Sequence, residues 1–284
     1  MLSIKNRLSS FANSSAGGWA LRKLHRVSRA LTSLIEYLDR QRRTETTEDL
    51  KTKIVRESFP ELTVLNGPFK GLKYPSVQST GSALLPKLLG SYEMEAAPLI
   101  EKILSRKYTD IVDVGCAEGF YAVGFGMLYP EATVHAYDVD AGARRLCQDM
   151  AKHNGIENRV KLGKFCDPAE LKGFADRGRT LVVADCEGYE AELFTSDTQP
   201  ALVNHDILIE CHDFKDPEIS SRIEAAFAES HHADRIRSEE TYFKAHAYGF
   251  DQLDGYSYEI RKFIMDEARK HSVVWLLLSS RANT

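Results

Sequence analysis

The sequence predicts an α/β protein built on a doubly wound, mostly parallel sheet, and three observations predict it. Short apolar runs alternate with helical segments through the C-terminal two thirds of the chain. The first of those runs ends in a glycine turn that opens a helix, Asp113-Val114-Gly115-Cys116-Ala117-Glu118-Gly119. The second run ends in an acid, Asp138, where doubly wound sheets place ligand contacts.

Taken in order, residues 1–60 read as a helical N-terminal extension. Leu21, Leu24, Val27, Leu31, Leu34 and Leu38 recur at helical spacing, and Lys5, Arg7, Arg22, Lys23, Arg26 and Arg29 precede the first acid, Glu36. The pattern fits an amphipathic helix that packs on the body or joins two copies into a homo-oligomer. A transit peptide or a membrane-surface helix has the same composition.

Residues 61–91 form a hairpin and a linker or lid. Leu62 to Leu65 and Leu72 to Tyr74 flank the Asn66-Gly67-Pro68 turn, and a Ser/Gly/Pro-rich stretch runs from Pro75 to Gly90. From Tyr92 a helix, Glu93 to Leu104, leads into the third segment, 92–284. Its runs are Asp110 to Val114, Thr133 to Tyr137, Val160 to Lys164, Leu181 to Ala184, Ile207 to Cys211 and Val273 to Leu278. The last has no crossover after it and is expected to be an added antiparallel strand.

Bulk properties bound the function. A net charge of -4 and a pI near 6.2 give no overall basic field for neutralising phosphates, so no nucleic-acid partner is expected. The five cysteines, 116, 147, 166, 186 and 211, lack any CxxC pair and read as buried thiols in a reducing, cytoplasmic setting. No stretch reaches the roughly 20 apolar residues of a membrane span, and Met1 to Ala20 lacks the apolar core of a secretory signal.

The glycine turn carries the sharpest chemistry. It reads DxGxAxG rather than the GxGxxG that directs helix amides at a pyrophosphate, and its two acids, Asp113 and Glu118, would repel one. A cationic, phosphate-free adenosine ligand suits it better, with Asp113 near a ligand ammonium and Asp138 accepting from both ribose hydroxyls. The missing GxGxxG argues against an NAD-dependent dehydrogenase.

This stretch resembles motif I and the following acidic motif of class I S-adenosylmethionine methyltransferases, which implies a Rossmann-like seven-stranded sheet. The resemblance implies a donor site along Asp113, Gly115, Cys116, Ala117, Gly119 and Phe120, with Asp138 and Val139 at the ribose. It places the adenine beside Phe165, Cys166 or Asp167, and Asp185 against the donor.

A second cluster lies at two later strand ends: Asp185-Cys186-Glu187-Gly188-Tyr189-Glu190, and Glu210-Cys211-His212-Asp213. The pair resembles the FkbM-type methyltransferases over roughly Tyr92 to Leu278, which implies O-methylation of a small molecule, sugar or natural-product intermediate. The chain departs from the pattern at Cys186, usually aliphatic, and in its long N-terminus, so the acceptor is not carried over.

Glu210 and His212 share a face by the period-two rule. Either Asp185, Glu210 and His212 hold a divalent metal such as Mg²⁺ or Mn²⁺ and lower the pKa of an acceptor hydroxyl, or His212 or Asp185 acts alone as general base. Glu187 and Glu190 also suit a helix N-terminus as capping acids. N-methylation without metal, or a non-catalytic S-adenosylmethionine-binding partner protein, remain the competing readings.

Three further features read as scaffold. His231-His232 is expected to be a solvated pair on a helix. Arg261, Lys262, Arg269 and Lys270, interspersed with Asp266 and Glu267, have the look of a solvated helix face. Tyr92-Glu93 is placed either to close over the methionine end of the donor or to supply a helix-terminal acid.

Overall fold

The computed structural model describes residues 31–34, 37, 46–80 and 82–283. The chain divides into two compact units, Met1–Glu57 and Ser58–Thr284. In the first, 31–34 and 46–57 are helical, and Leu31 and Leu34 are exposed. The remaining positions of the basic, leucine-spaced stretch lie outside the described residues. Among those described, no helix is long and apolar enough to cross a membrane.

The second unit is built on one seven-stranded sheet. Its strands are β1 (Asp110–Val114), β2 (Thr133–Tyr137), β3 (Val160–Gly163), β4 (Thr180–Ala184), β5 (Asp206–Cys211), β6 (His231–Arg237) and β7 (Val274–Ser280). The order across the sheet is β3-β2-β1-β4-β5-β7-β6. β1 to β5 run parallel, while β7 is antiparallel to both of its neighbours. This is the Rossmann-like, doubly wound sheet expected, with the last apolar run inserted antiparallel.

Apolar content explains the placement. β1, β4, β5 and β7 are buried along their whole length, because helices cover both faces of a parallel sheet and leave its inner strands no solvated side. β3, at one edge, is only partly buried. The order reverses between β1 and β4, and a crevice opens there at the carboxyl ends of the strands.

β6 corrects one sequence expectation. His231 and His232 begin a strand, not a solvated helical turn, and the pleat sends them to opposite faces. His231 is buried, contacting the Ser230 hydroxyl at 2.8 Å and the His205 carbonyl at 2.9 Å, whereas His232 is exposed. The strand is hard to see in sequence because His-His-Ala-Asp-Arg-Ile-Arg is an edge strand with charged residues on its open side, as edges that avoid pairing are.

The hairpin forms where the turn signal put it. Thr63 pairs with Lys73, and the Val64 and Tyr74 amides donate to the Leu72 and Leu62 carbonyls, each at 2.8 Å. Phe69 at its tip packs edge-on against Phe120, Tyr121 and Phe125, with centroids 5.0 to 5.6 Å apart. The stretch after it is less open than its composition implied. Leu84–Leu89 is a short helix with all six residues buried, ended by Gly90.

Candidate active site

The turn after β1 is clamped between its neighbours. The amides of Gly115 and Cys116 both donate to the Tyr137 carbonyl at the end of β2, at 2.9 and 3.0 Å, and the Asp185 amide donates to the Val114 carbonyl at 3.0 Å. A Cβ on Gly115 would lie 1.8 Å from the Asp185 carbonyl oxygen, and φ there is +88°. No other residue type fits this position.

Above the turn lies a cavity of about 440 Å³, a size suited to a small-molecule ligand. Gly115, Cys116, Ala117 and Phe120 line it from the turn, Asp138 and Val139 from the end of β2, Phe165 and Cys166 from the end of β3, and Asp185 from the end of β4. Asp138 is held rigidly: the amides of Ala117 and Asp140 donate to its two carboxylate oxygens, at 3.0 and 2.8 Å. Each oxygen keeps a lone pair for a further donor.

Asp113, Gly119 and Asp167 lie outside the cavity wall. The buried Asp113 carboxyl faces the Ala122 amide in the helix Phe120–Leu128; burial pushes it up to about 7, against that hydrogen bond. Gly119, φ +98°, lets the turn meet Cys147 of the helix Ala141–His153, whose sulfur would lie 2.9 Å from an added Cβ. Asp167 accepts from the Glu170 amide and caps the short helix Pro168–Lys172.

Glu118 also departs from expectation. It presents no charge to the cavity, being 1% exposed and bonded to Lys87 Nζ at 2.5 Å, the Ser79 hydroxyl at 2.9 Å, the Tyr74 hydroxyl at 3.3 Å and the Thr80 amide at 3.1 Å. Burial works to raise its pKa, but Lys87 and these hydrogen bonds outweigh it and hold the carboxyl below its ordinary range. The repulsion of a pyrophosphate therefore does not rest on Glu118.

A second, polar cavity of about 380 Å³ adjoins the first and shares Ser82, Tyr92, Asp185 and Glu187 with it. Glu210 and His212 face it together. His212 Nδ1 lies 3.0 Å from Glu190 Oε1, leaving Nε2 3.6 Å from Asp185 and 3.9 Å from Glu187. Asp185, Glu210 and His212 each offer a ligand atom, and the three atoms lie within 4.8 Å of one another.

Glu190 both orients the imidazole and serves its own turn, for the same oxygen accepts from the Cys186 and Gly188 amides. Burial would raise its pKa; His212 and the two amides keep it low instead. His212 moves the other way. Burial favours its neutral form, yet Glu190, Glu210 and Glu187 hold its pKa above the ordinary value.

Sequence reasoning missed Arg269 here. It is not on a helix face: its helix ends at Ile264, and its guanidinium reaches into the site. It donates to Glu210, to Glu93 at 2.7 Å and to Glu267 at 3.4 Å. Glu267 in turn accepts from the Glu93 amide at 2.9 Å and from the buried Lys244 at 2.6 Å, and Lys244 pairs with Glu95 at 2.5 Å. Arg261 is likewise engaged, donating to the Tyr248 carbonyl at 2.9 Å.

Tyr92 walls both cavities. Glu93 sits just behind it in a left-handed backbone conformation, φ +50°, and also receives the Tyr121 hydroxyl. Burial, then repulsion from Glu210, pushes Glu93 up to about 8 against the pull of Arg269. Burial, Glu210 and Glu93 raise Asp185 well above its ordinary range. Three carboxylates, Glu210, Glu93 and Glu267, thus crowd one guanidinium.

No protein-family model matches the chain, and no curated protein matches it by sequence. Solved structures resemble it at low identity. The O-methyltransferase TomG from Streptomyces achromogenes, in complex with SAM, is 11% identical over 65% of this chain and 80% of its own, with a TM-score of 0.44. The ribosomal protein L11 methylase from Lactobacillus delbrueckii subsp. bulgaricus is 19% identical over 67% and 80%, at 0.39. The precorrin-6y C5,15-methyltransferase from Geobacter metallireducens is 12% identical over 65% and 87%, at 0.40.

Proposed function

We propose that the chain is an S-adenosylmethionine-dependent methyltransferase of the class I kind, acting on a hydroxyl of a small molecule or glycan intermediate. The observation that carries this is the meeting of two unlike cavities at Asp185 and Tyr92. The first is apart from phosphate-binding geometry and holds Asp138 with free acceptor capacity at the strand end that suits a ribose. The second is polar and holds His212.

Bound S-adenosylmethionine supplies an electrophilic methyl group on a sulfonium. The remaining tasks are to orient a nucleophile toward it and to take its proton. With Glu190 accepting at Nδ1, the neutral imidazole of His212 presents Nε2 as an acceptor for an acceptor hydroxyl's proton. Tyr92 and Ser82 line both cavities and so border their junction.

The donor set Asp185, Glu210 and His212 fits a divalent ion: it mixes oxygen and nitrogen, and a carboxylate fixes the other imidazole nitrogen. Such an ion would lower the pKa of a bound hydroxyl. Arg269 already compensates Glu210, so an ion here competes with a guanidinium.

Calorimetric titration of chelator-treated protein with S-adenosylhomocysteine, then NAD, then Mn²⁺ tests the reading. Micromolar binding of S-adenosylhomocysteine and none of NAD is expected. Absence of S-adenosylhomocysteine binding would remove the methyltransferase assignment. Mn²⁺ binding that disappears in His212→Ala would establish the metal.

A further inference from the structure

Lys87 is the one lysine in the run Leu84-Leu85-Pro86-Lys87-Leu88-Leu89, and all six residues of this helix are buried. Lys87 nevertheless lines the first cavity, with its ammonium beside two of the rings that wall it. The ammonium lies 4.8 Å from the ring centre of Tyr92 and 5.3 Å from that of Phe120, both of which wall that cavity.

Its partner, Glu118, does not use it up. Four donors share the two oxygens of Glu118: Lys87, Tyr74, Ser79 and the Thr80 amide. An ammonium has three N–H donors, and the hydrogen bond to Glu118 occupies one. Had burial been the only requirement, an apolar residue in the helix and a neutral one at 118 would have been cheaper than a desolvated ion pair.

The position of Lys87 along the cavity gives it a meaning. Asp138, Val139 and Phe165 line it at the ends of β2 and β3, while Lys87 lines it beside Tyr92 and Phe120. Among the described lining residues the cations are Lys87 and Lys164. Lys164 is exposed and sits beside Phe165, at the end where an adenine has no charge to offer it.

We infer that Lys87 binds the α-carboxylate of the methyl donor, with Glu118, itself held by the Ser79 hydroxyl and the Thr80 amide, keeping the ammonium in place. The inference rests on the donor reading above and adds to it the residue that distinguishes an amino-acid-bearing nucleoside from a plain one. Lys87 is then a donor-binding residue supplied from outside the glycine turn, by the helix that precedes the sheet. The same contact ties donor occupancy to the strap Ser79–Thr80, which Glu118 anchors from the opposite side.

The test compares S-adenosylhomocysteine with its decarboxylated analogue, which keeps the amine, by calorimetry on the full chain and on Lys87→Met. A charge-assisted hydrogen bond predicts that the intact protein prefers the carboxylate-bearing compound by roughly 10-fold or more. In Lys87→Met that preference should vanish, while affinity for the decarboxylated compound changes by less than about 2-fold.

Should the single variant fail to fold, Lys87→Met with Glu118→Gln removes both charges and is read the same way. A preference that survives in the folded variant overturns the assignment of Lys87 and leaves the donor reading standing. Failure of the intact protein to bind either compound overturns both.

Discussion

His212 Nδ1 and Glu190 Oε1 are 3.0 Å apart, and the oxygen that holds the imidazole also receives the Cys186 and Gly188 amides. One carboxylate therefore fixes both the turn after β4 and the tautomer of the residue after β5.

Glu190→Gln keeps the shape and removes the charge. Because Glu190 is among the groups raising the pKa of His212, the variant should shift the acid limb of the rate profile to lower pH. A base must be neutral to accept a proton, so the intact protein should lose activity as pH falls through a pKa above the usual histidine value of about 6.5. Turnover at the plateau should fall roughly 10-fold through lost orientation. An acid limb that does not move would take His212 out of the base role.

Donor and acceptor functions should separate by mutation. Asp138→Ala is expected to weaken S-adenosylhomocysteine binding by roughly 10-fold or more, the worth of hydrogen bonds to a charged acceptor. His212→Ala should leave that affinity within about 2-fold and depress turnover by roughly 100-fold, a typical general-base contribution. Calorimetry beside a methyl-transfer assay reads both.

Glu93 makes stability depend on pH in an uncommon direction. Its folded pKa of about 8 lies above the unfolded value of about 4.3, so the native state binds more protons between the two. Stability from this group then falls as pH rises through that window. Glu93→Gln should flatten the slope in urea unfolding measured from about pH 5 to 8. An unchanged slope would assign the proton elsewhere.

Arg269→Met should be costly. It strips the guanidinium from Glu210, Glu93 and Glu267 at once, and removing one partner from a buried ion pair costs about 3 to 5 kcal/mol. Urea denaturation should show this loss growing above about pH 8, where Glu93 ionises. A loss below about 1 kcal/mol would mean that the carboxylates share protons well enough without the arginine.

What could be read from sequence follows from how locally each feature is encoded. β1 and β2 are short, mostly apolar runs and have the predicted limits. β6 has no run to see, since only its first residue is buried and Asp234, Arg235 and Arg237 interrupt the rest. Asp138 was legible because its place after a strand and its distance from the glycine turn are local facts. Asp113 was legible only as an acid: its carboxyl faces the Ala122 amide, a choice made by the packing of the following helix.

Lys87 and Arg269 come from segments remote in sequence, and their roles depend on tertiary neighbours. Even so, Lys87 carried a trace: a lone cation inside a leucine-rich stretch must be paired or functional. Arg269 carried none, because alternating charges look the same on a solvated face and in a buried network.

The chain of contacts from Glu210 through Arg269 to Glu93 and Glu267, and on through Lys244 to Glu95, alternates acid and base from the cavity into the helical insertion between β6 and β7. A single substitution along it leaves an odd charge in a dry place. In descendants of this sequence these six positions should therefore change in complementary pairs, and the insertion should evolve in step with the mouth of the polar cavity rather than drift as a surface ornament.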